Sequence, residues 1–256
     1  MSPRPPLEAP MRILTITLLL GAIAAPAAAQ SLAERVSRAP DGTIRMSFAA
    51  RDGVRGCGDN ITVNDDRDAD WESDCKAGPV FVSFQRRDGR VSKLKARVGG
   101  QWRDGAAGTD LGTVSAPEAA GYLLALAERD AGARDAIFAA TIADSVTIWP
   151  SLLGIARNER AAEETRKTAI FWLGQAAGQA IAPALDSIAS SPGEREVKET
   201  AVFALSQRPA DESVPALIRI ARTNRDPHIR RSALFWLGQS KDPRALDLFE
   251  ELLTGT

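Results

Sequence analysis

Hydrophobic and polar residues alternate with a period of two from Asp41 to about Gly112, which is typical of strands with one buried face. The inward-facing positions fall into three sets, which are Ile44, Met46 and Phe48, then Val80, Val82 and Phe84, and then Leu94, Ala96 and Val98. Asp88 and Gly89 predict a tight turn between the last two sets, and residues 61–63 predict a short additional strand. Residues 30–112 are therefore expected to form a small antiparallel β region with a meander-like strand order.

From Ser115 onward the period changes to 3.6, and the composition shifts to alanine and leucine. Ser115 followed three residues later by Glu118 is typical of a helix start, because the serine caps the first turn and the glutamate reaches back to it. We expect residues 113–256 to be helical apart from short breaks. The predicted fold class is α+β, with the β region first and an all-α region after it.

One seven-residue segment recurs through the helical region. Residues 169–175 return at 201–207 and at 233–239, each copy 32 residues after the previous one, and a shorter copy stands at 136–138. A second block with two aliphatic residues three positions apart and a following alanine begins at Leu123, Leu152, Leu185 and Leu217. Each unit is therefore predicted to be a pair of helices. The helix starts are expected at Pro150, Pro183 and Pro215 for first helices, and at Asp226 and Pro227 for the last second helix.

Two helices in about 32 residues, with Arg-x-x-Ala at the second helix and an Asp-Pro start in the last unit, resemble HEAT-like repeats of the short bacterial kind, which phycobilin lyases also carry. The resemblance covers about residues 116–253. It implies a right-handed α-solenoid of about four helix pairs, in which neighbouring units share one core. A final helix around residues 245–249 is expected to cap the stack. The resemblance further implies that the second helices line a concave surface used for protein binding, and it names no partner.

The second helices carry a phenylalanine at the same position in every unit. At 100° per residue, Phe171 falls opposite the buried arc of Ala169, Ile170, Trp172 and Leu173. The functional interpretation is an aromatic ladder beside a glutamine ladder that can bond an extended peptide backbone. The predicted protein-binding residues are Phe138, Phe171, Phe203, Phe235, Gln175, Gln207 and Gln239. The alternative is that the phenylalanine rings pack on one another, on first helices or beneath the β region. The tryptophans of these helices, Trp172 and Trp236, are expected in the core.

The residues that usually mark catalysis are sparse. The only histidine is His228, and the chain has no Gly-x-Ser-x-Gly elbow, phosphate loop or dinucleotide fingerprint. Among HEAT-like relatives, the deoxyhypusine hydroxylases hold two irons with repeated His-Glu pairs, whereas Ile229 follows His228 here. We predict a protein that is not an enzyme and that has no cofactor, no metal site and no catalytic residues.

An acidic stretch over residues 65–74 invites a calcium interpretation, because hard cations bind several carboxylate oxygens. The spacing does not fit an EF-hand, since Trp71 stands where the turn needs glycine and Ala77 stands where a bidentate glutamate belongs. A solvated loop is the favoured interpretation, and calcium binding is the alternative.

Residues 1–29 have the pattern of a secretory signal peptide. Arg4 and Arg12 precede an apolar run over residues 13–25, and a row of small residues ends at Ala29. The run is shorter than the ~20 residues that span a bilayer, so a cleaved signal is favoured over a retained anchor. Met11 is an alternative start. The predicted location is the periplasm or the exterior, with no membrane span after signal cleavage.

The chain has two cysteines, Cys57 and Cys75, and an oxidising compartment would let them form a disulfide. The alternative is a reactive or metal-binding pair, which lacks a Cys-x-x-Cys spacing and a nearby histidine. We predict the disulfide.

Charge is nearly balanced, with 32 basic and 33 acidic side chains and a formal net charge of -1, which argues against a nucleic-acid partner. The predicted function is that of an exported scaffold that binds a protein or an extended peptide on the concave face of the solenoid. Two alternatives stay open. One is an enzyme or accessory enzyme subunit with a site at the junction of the β region and the solenoid, and the other is a purely structural envelope protein.

Overall fold

The described strands form one four-stranded sheet and a separate two-stranded hairpin. The computed structural model describes residues 30–57, 60–63, 75–102 and 107–255, and the part from Ser31 onward is one compact unit. The predicted signal peptide and the acidic stretch 65–74 lie outside the described residues, so both stay predictions. The strands are β1 (Gly42–Phe48), β2 (Val54–Cys57), β3 (Asn60–Val63), β4 (Val80–Arg87), β5 (Arg90–Val98) and β6 (Thr109–Thr113).

The sheet has the strand order β5-β4-β1-β6. β1 pairs antiparallel with β4, so that Ile44 lies opposite Phe84, and β4 pairs antiparallel with β5. The alternating residues predicted to face inward are buried at Met46, Phe48 and Val82 as well, which confirms the period-two pattern. The meander-like order is wrong at one edge, where β6 runs parallel to β1, and wrong for β2 and β3, which form a hairpin separate from the four-stranded sheet. Strand pairing depends on long-range contacts that a short alternation does not encode.

The β2–β3 hairpin lies against the end of β5. A Cβ atom placed on Gly56 would be 1.9 Å from the carbonyl oxygen of Val98, so this close approach of two backbones requires glycine. Gly56 also exchanges two hydrogen bonds of 2.9 Å with Lys76. Next to this bridge Cys57 and Cys75 form a disulfide, which confirms that prediction.

A short helix, α1 (Leu32–Arg38), precedes the sheet and was not predicted. Ser31 and Glu34 form a reciprocal capping box at its start, and Leu32 and Val36 are buried. The Ser-x-x-Glu spacing was the sequence signal for this helix. Glu118 accepts a hydrogen bond of 2.7 Å from the backbone of Leu32, which ties α1 to the first helix of the solenoid region.

The described residues after β6 are helical apart from short breaks and confirm the predicted solenoid region of four helix pairs followed by a capping helix. After α2 there is a single 3-10 turn over Ala131–Ala133. The second helices pack in series, α5 on α7 and α7 on α9. The helices are α2 (Ala116–Arg129), α3 (Ala136–Thr141), α4 (Trp149–Arg157), α5 (Glu163–Gly174), α6 (Ile181–Ser190), α7 (Arg195–Ser206), α8 (Ala210–Thr223), α9 (Pro227–Ser240) and α10 (Pro243–Thr254).

The prolines mark helix starts less closely than predicted. Pro150 is the second residue of α4, and Pro227 opens α9 behind its Asp226 cap, as expected. Pro183 is the third residue of α6. Proline is tolerated there because a backbone N–H in the first turn has no acceptor within the helix. Pro215 lies inside α8, which begins at Ala210, so the expected start at Pro215 is wrong by more than one turn.

The repeated alanines Ala169, Ala201 and Ala233 are all fully buried. Because the alanine side chain is small, these positions allow the second helices to approach closely.

The hydrophobic core is continuous from the sheet into the helices. Backbone hydrogen bonds join the two parts as well, since the segment after β1 pairs with the segment after α3 through the amides of Arg51 and Asp144.

Ion pairs link successive units at equivalent positions. Arg166 of α5 contacts Glu194 at 2.6 Å, and Lys198 of α7 contacts Asp226 at 3.1 Å. Each acid is the residue that precedes the next second helix. The pKa of Glu194 is lowered by hydrogen bonds to its carboxylate from its own backbone N–H and from Arg166. The repeated basic residue was visible in the sequence, but its acidic partner in the following unit was missed.

Candidate interaction surface

Aromatic side chains of the second helices form two clusters. In the first aromatic cluster, the Trp172 ring lies 5.3 Å from Phe138 and 5.2 Å from Phe171, between ring centroids. In the second aromatic cluster, the Trp236 ring lies 5.2 Å from Phe203 and 5.0 Å from Phe235. The edge-on contacts of Phe171 and Phe235 with their tryptophans are a geometry that aromatic rings favour.

A tight helix contact explains why the aromatic residues do not form one unbroken ladder. In α7 the position equivalent to Trp172 and Trp236 is Ala204, which is buried. A Cβ atom on Gly174 of α5 would lie 2.9 Å from the Cβ of Ala204, so no tryptophan fits there. The predicted phenylalanine ladder is thus divided into two clusters, each centred on a tryptophan.

Exposure differs among the four phenylalanines. Phe171 is 39% exposed and Phe235 is 58% exposed, whereas Phe138 and Phe203 are half-buried. The exposed position of Phe171 agrees with the helical-wheel prediction. The tryptophans are half-buried rather than core residues, so the expectation for Trp172 and Trp236 is only partly met. A tryptophan that packs on a phenylalanine of the same surface keeps one side in contact with solvent.

The three predicted glutamines are exposed. Gln207 donates a hydrogen bond of 3.1 Å to the Ser206 hydroxyl. The side chains of Gln175 and Gln239 make no hydrogen bond with another residue in the described ranges. Their amide groups therefore remain available to a ligand backbone, for which glutamine offers both a donor and an acceptor.

Two cavities adjoin the first aromatic cluster and share Trp172. One, of about 570 Å³, lies between the segment 145–149, Arg51 and Gln175. The other, of about 450 Å³, lies between the β2–β3 hairpin, β5 and the Phe138 ring. The first aromatic cluster thus lies at the junction with the β region. This agrees in part with the alternative interpretation of the phenylalanines, which expected rings to pack beneath the β region.

A third cavity, of about 520 Å³, lies between α1 and α2 beside Tyr122. Burial raises the pKa of Tyr122, and the nearby Arg129 and Arg86 oppose this shift. The hydroxyl therefore stays protonated at neutral pH and can donate a hydrogen bond. Residues of β4 and β5 line it together with residues of α2, so this cavity also lies at the junction of the β region and the solenoid, where the enzyme alternative expects its site.

The remaining candidate chemistry does not converge on a site. His228 is exposed in the first turn of α9, where its ring Nδ1 lies 3.0 Å from an Arg231 nitrogen. Within the described ranges, no three His, Cys, Asp or Glu side chains are grouped closely enough to hold a metal ion. Nor does any helix in those ranges have the length and apolar character needed to cross a membrane.

Comparison with protein families supports the assignment of the repeats. Residues 187–256 match the family model of HEAT repeats. A comparison with curated proteins found no match. Together with the helix pairs described above, the match shows that this is a HEAT-like repeat protein. Stacked repeats of this kind present extended surfaces that commonly bind other proteins.

Proposed function

We propose that this protein is an exported interaction scaffold that binds an extended peptide segment of a partner protein along its second helices. The observation that carries the proposal is the pair of aromatic clusters, in which the exposed rings of Phe171 and Phe235 are each held edge-on by a tryptophan.

The chemistry of this surface suits a peptide ligand. Rigid aromatic groups that are already packed in place lose little conformational entropy on binding, which is why such residues dominate binding energy at interfaces. The exposed amides of Gln175 and Gln239 supply donors and acceptors beside the rings. Apolar peptide side chains would contact the aromatic clusters while the peptide backbone bonds to the glutamines.

Export is supported by two observations of different kinds. The signal-peptide pattern over residues 1–29 predicts secretion. The Cys57–Cys75 disulfide is compatible with the oxidising conditions of the periplasm or the exterior. We extend the proposal to a non-catalytic role, because HEAT-like repeats are generally not catalytic. The enzyme alternative would place its site at the junction of the β region and the solenoid, where the cavity beside Tyr122 is one of the cavities present.

A peptide selection tests the proposed surface directly. A random-peptide display library is selected against the purified chain, and enriched peptides are then measured by fluorescence anisotropy against Phe171→Ser and Phe235→Ser. We expect each variant to bind at least ~10-fold more weakly, as is common for residues that anchor an interface.

The matched control is Leu246→Ser, because Leu246 is 59% exposed on α10 and belongs to neither aromatic cluster. This variant should bind the selected peptides as tightly as the parent. Peptides that bind all three variants equally, or a library that yields no specific peptide, would refute binding at the aromatic clusters.

A further inference from the structure

The first helix of the solenoid region differs from the later first helices at a residue that lines the cavity between α1 and α2. Tyr122 of α2 stands one residue before the leucine that opens the repeated block. The equivalent residues of α4, α6 and α8 are small, and they are Ser151, Ala184 and Ala216. The Tyr122 ring packs on Phe84 of β4, with 6.3 Å between the ring centroids, and lines the cavity. The tyrosine therefore belongs to the cavity and not to the repeat.

α2 presents a stripe of residues to this cavity. Spacings of three and four residues place the stripe on one side of the helix, and its members are Gly121, Tyr122, Ala125 and Arg129. Glycine in the middle of a helix lowers helix stability, because it gives the unfolded chain more freedom. Apart from its chain neighbours and its own helix backbone, a Cβ atom on Gly121 would meet no atom of the described residues within 4 Å. Close packing therefore does not require this glycine, which instead leaves space in the cavity.

Two polar groups at the cavity have no partner among the described residues. They are the hydroxyl of Tyr122 and the guanidinium of Arg129, neither of which forms a hydrogen bond or an ion pair there. The hydroxyl keeps its proton at neutral pH because burial raises the pKa of Tyr122, and the charge of Arg129 lies close enough to oppose that shift. Both groups can therefore donate hydrogen bonds to an acceptor in the cavity.

The other charged side chains that line the cavity are already engaged. Arg86 forms an ion pair of 3.2 Å with Asp41 and also donates hydrogen bonds to backbone oxygens after α1. Glu118 accepts a hydrogen bond of 2.7 Å from the backbone N–H of Leu32. Among the described residues that line the cavity, Arg129 is thus the one uncommitted charge. A single positive charge matches a monoanion, and the carboxylate of Glu118 repels a dianion.

The walls of the cavity are aliphatic. α1 contributes Leu32 and Val36, and β5 contributes Val91. The volume of about 520 Å³ is typical of small-molecule sites, which combine apolar walls with a few polar groups that fix the orientation of the ligand. A ligand that matches this cavity therefore has an aliphatic body and one singly charged acidic group.

We propose that the cavity between α1 and α2 binds a free monocarboxylate with an aliphatic chain of medium length. The carboxylate accepts hydrogen bonds from the Tyr122 hydroxyl and from Arg129, and the chain lies against the aliphatic walls beside Gly121. The proposal does not depend on the peptide-binding function, because the residues that line this cavity belong to neither aromatic cluster.

Isothermal titration calorimetry of the purified chain with octanoate, 1-octanol and octyl phosphate tests the proposal. The three probes share one chain and differ in the head group. We expect octanoate to bind with a submillimolar dissociation constant. The alcohol should bind at least ~10-fold more weakly because it lacks the charge that Arg129 pairs with, and the phosphate should do so because it is a dianion beside Glu118.

Two variants locate the site. Arg129→Met should weaken octanoate binding at least ~10-fold and leave octanol binding unchanged, because methionine keeps an apolar side chain and removes the charge. Gly121→Leu should abolish octanoate binding by filling the cavity. This variant should fold like the parent, which circular dichroism checks, because leucine has space there and favours the helix. The matched control is Arg51→Met, which removes the same charge from the cavity beside Gln175 and should bind octanoate as tightly as the parent.

Three results would overturn the proposal. They are the absence of octanoate binding, octanol or octyl phosphate binding as tightly as octanoate, and octanoate binding that Arg129→Met and Gly121→Leu leave unchanged. If Arg51→Met alone weakened octanoate binding, the carboxylate site would lie beside the first aromatic cluster instead. Peptides selected for the aromatic clusters should bind Gly121→Leu as tightly as the parent, so failure of this site and failure of the peptide function are distinguishable.

Discussion

Replacing Phe235 by alanine measures how far the aromatic clusters belong to the surface. The ring is 58% exposed and contacts Trp236 edge-on at 5.0 Å. Full burial of a phenylalanine side chain contributes ~1.5–3 kcal/mol, and less than half of this ring is covered. With the aromatic contact included, we expect Phe235→Ala to lower the free energy of unfolding by about 1–3 kcal/mol.

The comparison variant is Phe48→Ala in β1, where the ring is fully buried. It should cost ~3–5 kcal/mol, because it removes a large core side chain and leaves a cavity. Phe203→Ala should fall between the two, because its ring is half-buried against Trp236.

Equilibrium unfolding in urea, followed by helical circular dichroism, is the suitable assay, because the fluorescence of Trp236 would itself respond to the substitution. The dependence of the unfolding free energy on urea should stay the same in all variants, which shows that they unfold from the same structure. A loss for Phe235→Ala as large as that for Phe48→Ala would place the second aromatic cluster in the core. Binding at that cluster would then be refuted.

Three further predictions concern stability. Reducing the Cys57–Cys75 disulfide should lower the free energy of unfolding by ~3 kcal/mol in the chain-entropy model, which urea unfolding with and without reductant measures. Two free thiols in freshly purified protein, detected by mass after alkylation, would contradict the bond. Ala201→Leu should cost ~1–3 kcal/mol by overpacking, because Ala201 is fully buried, and a melting temperature equal to the parent's would show that the helix phase is wrong. A hydrogen bond from Arg244 lowers the pKa of Asp242 to about 2, below its value in the unfolded chain. The ionised Asp242 carboxylate therefore adds to the free energy of unfolding at neutral pH, and this contribution is lost as the pH falls through the folded-state pKa. Asp242→Asn should make stability depend less steeply on pH in the acidic range. An unchanged acidic dependence would contradict this prediction.

Much of the local structure could be predicted because it is encoded in short patterns. Alternation predicted which side of β1 and β4 is buried, since successive strand residues face opposite sides of a sheet. The 32-residue recurrence predicted paired helices, with Ala169 and its equivalents in the core. The disulfide followed from there being only two cysteines in a chain predicted to be exported.

The candidate surface was predicted less completely. The helical wheel placed Phe171 away from the core, which its exposure confirms. It treated each helix alone, however, and so could not show that Trp172 of α5 would pack on Phe138 of α3. Nor could it show that the contact between Gly174 and Ala204 would divide the aromatic ladder.

The sequence by itself determined the secondary structure of most elements, the repeat and the burial of Ala169 and its equivalents, because these depend on residues within a turn or two of one another. Only the tertiary structure decided the parallel pairing of β6, the two aromatic clusters and the uncovered leucines of α10. The reason is that Leu246 has the same apolar character as Val214, its equivalent one repeat earlier. Whether such a side chain is buried depends on the presence of a neighbouring helix, which no local pattern records.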